Sequence, residues 1–580
     1  MTVSVLPARP RTRWLLPERP DPAVVQSLQD ELLLPEPICR LLAARGHSPA
    51  DSAKRYLRPR LDQLHPPGQL RDLDRAVERL VTAIRAGETI MIHGDYDVDG
   101  MSSTALLTRA FRALGGTVVP FIPHRRDGYD LGDAGVRAAR EAGATLVVTC
   151  DCGTSAVDPV LALNAMGIDV IISDHHLPGG DLPAAFAVLN PRRPGCESND
   201  KDLAAVGVAF KLALAVTRAM DGNENVVYGM LDLVALATIA DIAPLRGENR
   251  VLARYGLKLL AETTNLGLRA LKRSAGLDGK PLTAGRVGFI LAPRLNAVGR
   301  LGDPMRGVAL LLATTEHEAN SIARELEEKN GQRQEMDKRV LDEARSEVRK
   351  LDMNDTFGIV LAKDGWHPGV IGIVASRLVE EFGRPVVLIG LEGDEGKGSG
   401  RSISRFDLHA GIGRCRHLLK RFGGHRSAAG VSIARDRVDE FARCFDASAR
   451  SVLSPDDLVP ELRVDLEVAL HELTPEFEAL LRHLEPCGMG NPAPVLVSRG
   501  VRLSGPPRRV GDGGLKLRLA LDSGESLDAI GWSLGARIAE IDVARPLDIA
   551  YRLERDEYQG VSRLQAKLAD FQVQDSACAS

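Results

Sequence analysis

A chain of 580 residues is too long for one ordinary core and should divide into several domains. With 44% hydrophobic and 26% charged residues it has the composition of a folded globular protein, which sets aside a disordered chain. The formal net charge of −4, from 74 basic and 78 acidic residues, does not exclude nucleic acid, because a basic groove can lie beside acidic sites. The first 14 residues carry arginines and prolines but no apolar core of a secretion signal. Up to about residue 85 the pattern is one of short helices with proline joints at Pro35, Pro37, Pro66 and Pro67. From Thr89 strands and amphipathic helices alternate: strand 89–92, helix 102–114, strand 117–122, helix 135–141, strand 146–149, helix 157–166 and strand 170–173. That order predicts a parallel sheet in an α/β domain, with ligands beyond the carboxyl ends of its strands.

A helical region follows over 202–312. Its most apolar stretch, 230–245, is broken by Asp232 and Asp241, so no membrane span is expected. Residues 316–352 are polar and nearly free of helix breakers, which predicts a long connecting helix with one weak point at Gly331. A second α/β unit begins at Phe357, with strands 359–361 and 386–389. Pro455 and Pro460 then mark a boundary, and 460–573 has short strands and glycine turns suited to a small barrel. The expected segments are an N-terminal helical region 1–75, domains 76–314 and 353–455 joined by a helix 315–352, a barrel 456–573 and a tail 574–580. The eight cysteines show no zinc spacing and are expected to be reduced and mostly buried, in a cytoplasmic protein.

Acidic residues and histidines collect where the predicted strands end. The first run is His93-Gly94-Asp95-Tyr96-Asp97-Val98-Asp99-Gly100, the second Cys150-Asp151-Cys152-Gly153, the third Asp174-His175-His176. A fourth, Asp241, closes the apolar run 233–239, where helix and strand cannot be told apart. One such aspartate is an ordinary helix cap. Several converging on one sheet repel one another unless cations neutralise them. Carboxylates mixed with imidazoles suit Mn²⁺ or Mg²⁺ better than a thiolate-loving metal. Two ions sharing a carboxylate form a device for hydrolysis at phosphorus.

Asp174-His175-His176, preceded by an aspartate-bearing strand end, resembles the DHH phosphoesterase superfamily. The resemblance implies that His93, Asp97 and Asp151 hold one ion, and that Asp99, Asp151, His175 and Asp241 hold the other, with Asp151 bridging. It gives His176 a place facing the scissile phosphate. Gly423-Gly424-His425-Arg426-Ser427-Ala428-Ala429-Gly430 resembles the glycine-rich signature of the DHH-associated domain, in which glycines let backbone N–H groups approach an anion. Gly398-Ser399-Gly400-Arg401-Ser402 has the look of a second such loop. Stretches 366–372, 294–300, 485–492 and 556–560 resemble the RecJ-type exonucleases of that superfamily, over about 41–568.

The fold this implies is α/β: a DHH domain and a DHH-associated domain joined by a long helix, then a C-terminal OB-fold barrel. The activity implied is 5′-to-3′ exonucleolytic degradation of single-stranded DNA to mononucleotides, serving recombinational, mismatch and base-excision repair. Arg125, Arg300, Ser399 and Arg401 match a 5′-phosphate pocket, and His425 and Arg426 add donors to substrate. The partners implied are single-stranded DNA, a RecQ-type helicase and a single-stranded-DNA-binding protein, with a monomeric enzyme. Rival expectations are a phosphodiesterase on oligoribonucleotides or cyclic dinucleotides, and a DNA-binding scaffold with a dead site. Cys152 stands where asparagine is common in the family, and Asp130 where glycine is usual. Neither change removes a ligand.

Overall fold

The computed structural model describes residues 12–574 except 512, 523, 559 and 560. Gln559 and Gly560 and the tail 575–580, with Cys578, lie outside the described residues. Residues 59–335 together with 486–492 form one unit. At its centre is a parallel sheet in the order Thr117–Phe121, Thr89–Gly94, Leu146–Cys150, Asp169–Ser173, Ala187–Leu189. These strands are near-continuous apolar runs because helices cover both faces. Ile90 and Ile92 turn toward Leu80, Leu106 and Phe111, whereas Met91 turns toward Val160 and Leu163 on the opposite face. Thr89–Gly94 lies inside the sheet. The chain first adds a strand on one side of it, then returns to add Leu146–Cys150 on the other. That reversal opens a crevice beyond the carboxyl ends of these two strands. Gly94 and Cys150 both end there.

The apolar run near 233–239 is a helix, Leu231–Ala240, buried on nearly every side, with Asp241 as its C-cap. The fourth acidic position is therefore a helix end and not a strand end. Periodicity could not reveal this because no face of the helix is polar. The long helix Glu316–Val348 passes through Gly331 without a break. Glycine costs about 1 kcal/mol there, and burial of Ile322 and Leu326 on one side and Val340 and Ala344 on the other outweighs it.

The rest of the described chain forms a second unit. Ile359–Asp364 pairs in parallel with Val386–Glu392, and the sheet continues antiparallel through Glu395–Arg401, Ala428–Ala434 and Leu419–Gly424. Both glycine-rich stretches, expected as loops, are thus largely strand. In Glu395–Arg401 the glycines occupy the packed face: a Cβ on Gly398 would stand 2.5 Å from Val431, and one on Gly400 3.1 Å from Leu408. The alternation puts Lys397, Ser399 and Arg401 on the other face. Gly423 and Gly424 end the first strand of a hairpin, and the His425 N–H donates to the Ala428 carbonyl at 2.8 Å. The His425 amide thus serves the ladder.

The C-terminal sheet has seven strands, ordered Leu466–Glu467, Leu496–Val501, Leu547–Tyr558, Val561–Val573, Ser526–Gly531, Gly514–Ala520, Arg508–Val510. Tyr551, Phe571 and Leu517 fill its core, and the helices Pro22–Leu32 and Glu36–Ala44 add Leu28, Leu41 and Leu42 to the same cluster. The N-terminal helices are therefore part of the barrel's hydrophobic core.

One cysteine expectation is corrected. Cys415 and Cys444 form a disulfide with Cα atoms 6.0 Å apart, tying the turn after Leu408–Gly413 to the helix Val438–Arg450. Twenty-nine residues separate them in sequence, so only the fold brings them together. Cys39, Cys150, Cys152 and Cys196 are free and buried. Among the described residues no helix is long and apolar enough to cross a membrane.

Candidate metal centre

The site is built at the crevice from three strand ends and one helix end. After Thr89–Gly94 the Asp97 carboxylate accepts the Asp99 and Gly100 N–H groups at 2.8 and 3.1 Å, starting the helix Val98–Ala113. That cap fixes Asp99 in the first turn. Its carboxylate accepts the Ala205 and Val206 N–H groups at 2.9 and 2.8 Å, at the start of Ala205–Ala219. Asp151 sits at φ 62, a left-handed conformation that a non-glycine residue adopts at an energetic cost. His175 donates from Nδ1 to the Leu203 carbonyl at 3.2 Å, which directs Nε2 inward, 3.2 Å from Asp151 Oδ1 and 3.8 Å from Asp241.

Three groups of ligand atoms lie within 4.8 Å of one another: Asp99 with His175 and Asp241, Asp151 with His175 and His176, and Asp95 with Asp97 and Asp151. Burial, reinforced by Asp97, pushes Asp99 up to about 7. Burial, reinforced by Asp99 and Asp97, pushes Asp241 up to about 8. Asp151 and Asp95 are likewise raised, first by burial and then by Asp97. Burial pushes His93 and His175 down to about 4, so both imidazoles are neutral at neutral pH. Asp95 Oδ1, Asp151 Oδ1 and His93 Nε2 are buried without a hydrogen-bond partner. Buried polar atoms ordinarily have one. Acceptors left unpaired among crowded carboxylates fit a divalent cation, and oxygen with imidazole nitrogen fits Mn²⁺ or Mg²⁺.

The structure thus brings together Asp97, Asp99, Asp151, His175, His176 and Asp241. His93 stands outside the three groups: its Nδ1 is 3.6 Å from Cys152 Sγ, and its ring packs so closely on Gly135 that a Cβ there would come within 2.7 Å. Asp95 takes a place beside Asp97 and Asp151 that the sequence had not assigned. Its position in the same alternating acidic run was the available signal. Tyr129 was also missed; its hydroxyl reaches the site from a turn with no regular pattern.

His176 is half-exposed. Its Nδ1 donates to Asp174 Oδ1 at 2.8 Å. Burial alone would lower its pKa, but the Asp174 hydrogen bond and charge raise it to about 9. At neutral pH it is a cation at the mouth of an acidic site.

Of the expected phosphate-pocket residues, Arg125 and Arg300 belong to this unit. The Arg125 guanidinium lies 5.3 Å from the Tyr96 ring centre, and Arg300 acts on the same tyrosine through its charge. Ser399, Arg401, His425 and Arg426 belong to the second unit. There Arg401 donates to Ser399 Oγ at 3.1 Å and to the Gly400 carbonyl at 2.8 Å. A Cβ on Gly372 would stand 2.9 Å from Ser399 Oγ and 3.1 Å from the Arg401 guanidinium. Glycine there lets the first turn of Ile371–Phe382 approach both side chains, gathering a cation, a hydroxyl and a helix N-terminus. His425 and Arg426 are exposed in the hairpin turn, where Arg426 donates to the Ser404 carbonyl at 3.0 Å.

The stretch 294–300 supports the acidic loop. Asn296 Oδ1 accepts the Val98 N–H at 3.2 Å, and a Cβ on Gly299 would fall 2.0 Å from the Tyr96 carbonyl oxygen. Gly299→Ala is therefore expected to displace residues 95–97, costing about 1–3 kcal/mol of stability and reducing Mn²⁺ binding. Calorimetric titration with Mn²⁺ checks it; unchanged affinity would show that the loop yields elsewhere.

Comparison with known proteins gives the family. Three family models match: the DHH family N-terminal domain over 89–238, the DHHA1 domain over 355–451 and the RecJ OB domain over 464–570. The single-stranded-DNA-specific exonuclease RecJ of Escherichia coli K12 is 37% identical, covering 92% of this chain and 95% of that protein. The Bacillus subtilis protein of the same description is 36% identical over 97% of this chain and 71% of its own length. This chain belongs to the RecJ family. A crystal structure of Thermus thermophilus RecJ in complex with Mn²⁺ superimposes with a TM-score of 0.83 at 31% identity, covering 98% of this chain and 80% of that one. The same RecJ is also known in complex with Mg²⁺. The RecJ relationship agrees with a DHH domain, a DHHA1 domain and an OB domain in this order.

Proposed function

We propose that this chain is a divalent-metal-dependent exonuclease on single-stranded DNA that works from the 5′ end and releases mononucleotides. The observation that carries the reading is the carboxylate–histidine cluster at the switch point, with buried ligand atoms lacking protein partners, in a chain of the RecJ family. Asp99, Asp151, His175 and Asp241 would hold one ion; Asp97 and Asp151, with His93 or Asp95, would hold a second. When bound, Mn²⁺ or Mg²⁺ supplies Lewis acidity toward the phosphate and makes water a better nucleophile. The protein's own part is orientation. Asp99 is aimed by two backbone amides and His175 by the Leu203 carbonyl. Asp174 holds His176 in the form that donates a proton or stabilises charge developing on oxygen. The presence of every expected ligand type argues against a dead scaffold. Digestion of an end-labelled single strand with and without Mn²⁺, read from both ends, tests the reading. Loss from the 3′ end first, or activity untouched by chelation, would overturn it.

For polarity we place the terminal phosphate against Arg401 and Ser399, which lie together in the second unit. A 5′-phosphate carries more charge than an internal diester, and a guanidinium fork suits its oxygens. Arg401→Ala is expected to lose most of the preference for a 5′-phosphorylated over a 5′-hydroxyl strand, about tenfold if one charge-assisted contact is removed. Equal discrimination by wild type and variant would place the pocket elsewhere. The barrel is the proposed platform for the rest of the strand: Trp532 is 64% exposed there and follows the strand Ser526–Gly531. Its family suggests work in recombination and repair, fed by a RecQ-type helicase and a single-stranded-DNA-binding protein.

A further inference from the structure

The turn 128–131 folds onto the loop that carries Asp151. Gly128 and Asp130 both lie at positive φ, 109 and 80, which reverses the chain sharply. The Asp130 side chain accepts the N–H of Leu131 at 2.8 Å and that of Gly153 at 2.5 Å, pinning the turn to the residue two beyond Asp151. Tyr129 is thereby held with half its surface exposed and its hydroxyl 3.0 Å from His176 Nε2, 3.4 Å from His176 Nδ1 and 3.4 Å from the Asp151 carbonyl oxygen. Its ring meets the His176 ring edge-on at 5.8 Å and the Tyr96 ring at 6.3 Å.

We propose that Tyr129 is a positioning residue for His176, its hydroxyl set against the nitrogen-bearing side of the imidazole and nearest Nε2, while Asp174 holds Nδ1. The proposal rests on the role given to His176 under the proposed function. A phenol suits the task because it donates and accepts. When Nε2 offers a lone pair, the Tyr129 O–H donates to it. When Nε2 carries a proton, the Tyr129 oxygen accepts and its O–H turns to the Asp151 carbonyl. The hydroxyl keeps a partner in both states, so substrate meets His176 already oriented. Phenylalanine keeps the ring contacts and loses only this.

The test compares wild type, Tyr129→Phe, His176→Ala and the double variant on a 5′-phosphorylated single strand. Tyr129→Phe is expected to lower kcat about 10–100-fold, the usual effect of removing an outer partner. KM and the rise in Tm on adding Mn²⁺ should stay near wild type. In the His176→Ala background the same change should cost nothing further, because the two act as one unit. Undiminished kcat in Tyr129→Phe would overturn the proposal. So would an equal loss with His176 absent, or loss of the Mn²⁺ effect on Tm, which would mean a role in shaping the Asp151 loop. Full activity in His176→Ala alone would instead sink the role of His176 itself.

Discussion

Asp151→Asn is expected to lower cleavage of single-stranded DNA by at least about 10³-fold while making the metal-free protein more stable. The two effects have one cause. Asp151 is buried, its Oδ1 has no hydrogen-bond partner, and it stands among Asp95, Asp97, Asp99 and Asp241, so burial and then these charges disfavour its ionised form. An amide of the same shape removes the repulsion and one shared ligand together. Melting in EDTA at pH 8 should show a Tm higher by about 2–4 °C for each kcal/mol relieved, and Mn²⁺ should raise it less than in wild type. Overlaid circular dichroism spectra would establish that the fold is kept. Mn²⁺-dependent activity within tenfold of wild type would show that Asp151 does not serve the ions.

Such a trade between stability and function accounts for what was legible in the sequence. The acidic strand ends break the local pattern of apolar strand and helix, and a break in pattern can be seen without a structure. The parallel sheet and the long helix were legible for a related reason: each has a strong period or an unbroken polar run. Asp241 was legible as a candidate ligand but not as a helix cap, because Leu231–Ala240 is apolar on all sides. The glycines of 396–400 looked like a loop because a strand with no side chains on one face has no hydrophobic alternation. Only the packing of Val431, Ile389 and Leu408 explains them. Tyr129, the Cys415–Cys444 pair and the shared core of the N-terminal helices with the barrel depend on contacts between residues distant in sequence, and no local rule reports those.

The pH dependence of metal binding follows from the same crowding. Asp99 and Asp241, ordinarily near 3.8, are pushed up to about 7 and about 8 in the folded, metal-free chain, by burial first and neighbouring carboxylates second. The folded state therefore binds more protons than the unfolded one, and the contribution of these groups to stability falls as the pH rises from about 4 toward 8. Metal binding requires both carboxylates ionised, so it must displace those protons. His175, near 4, releases none in this range. Mn²⁺ affinity is accordingly expected to rise about tenfold for each displaced proton between pH 6 and pH 7. Isothermal titration in two buffers of different ionisation enthalpy counts the protons released. In Asp241→Asn one proton fewer should be released, and the rise should be shallower, although binding is weaker throughout. An affinity flat from pH 6 to 8, with no buffer dependence of the heat, would mean that the carboxylates are already ionised before the metal arrives and that something other than the cation neutralises them.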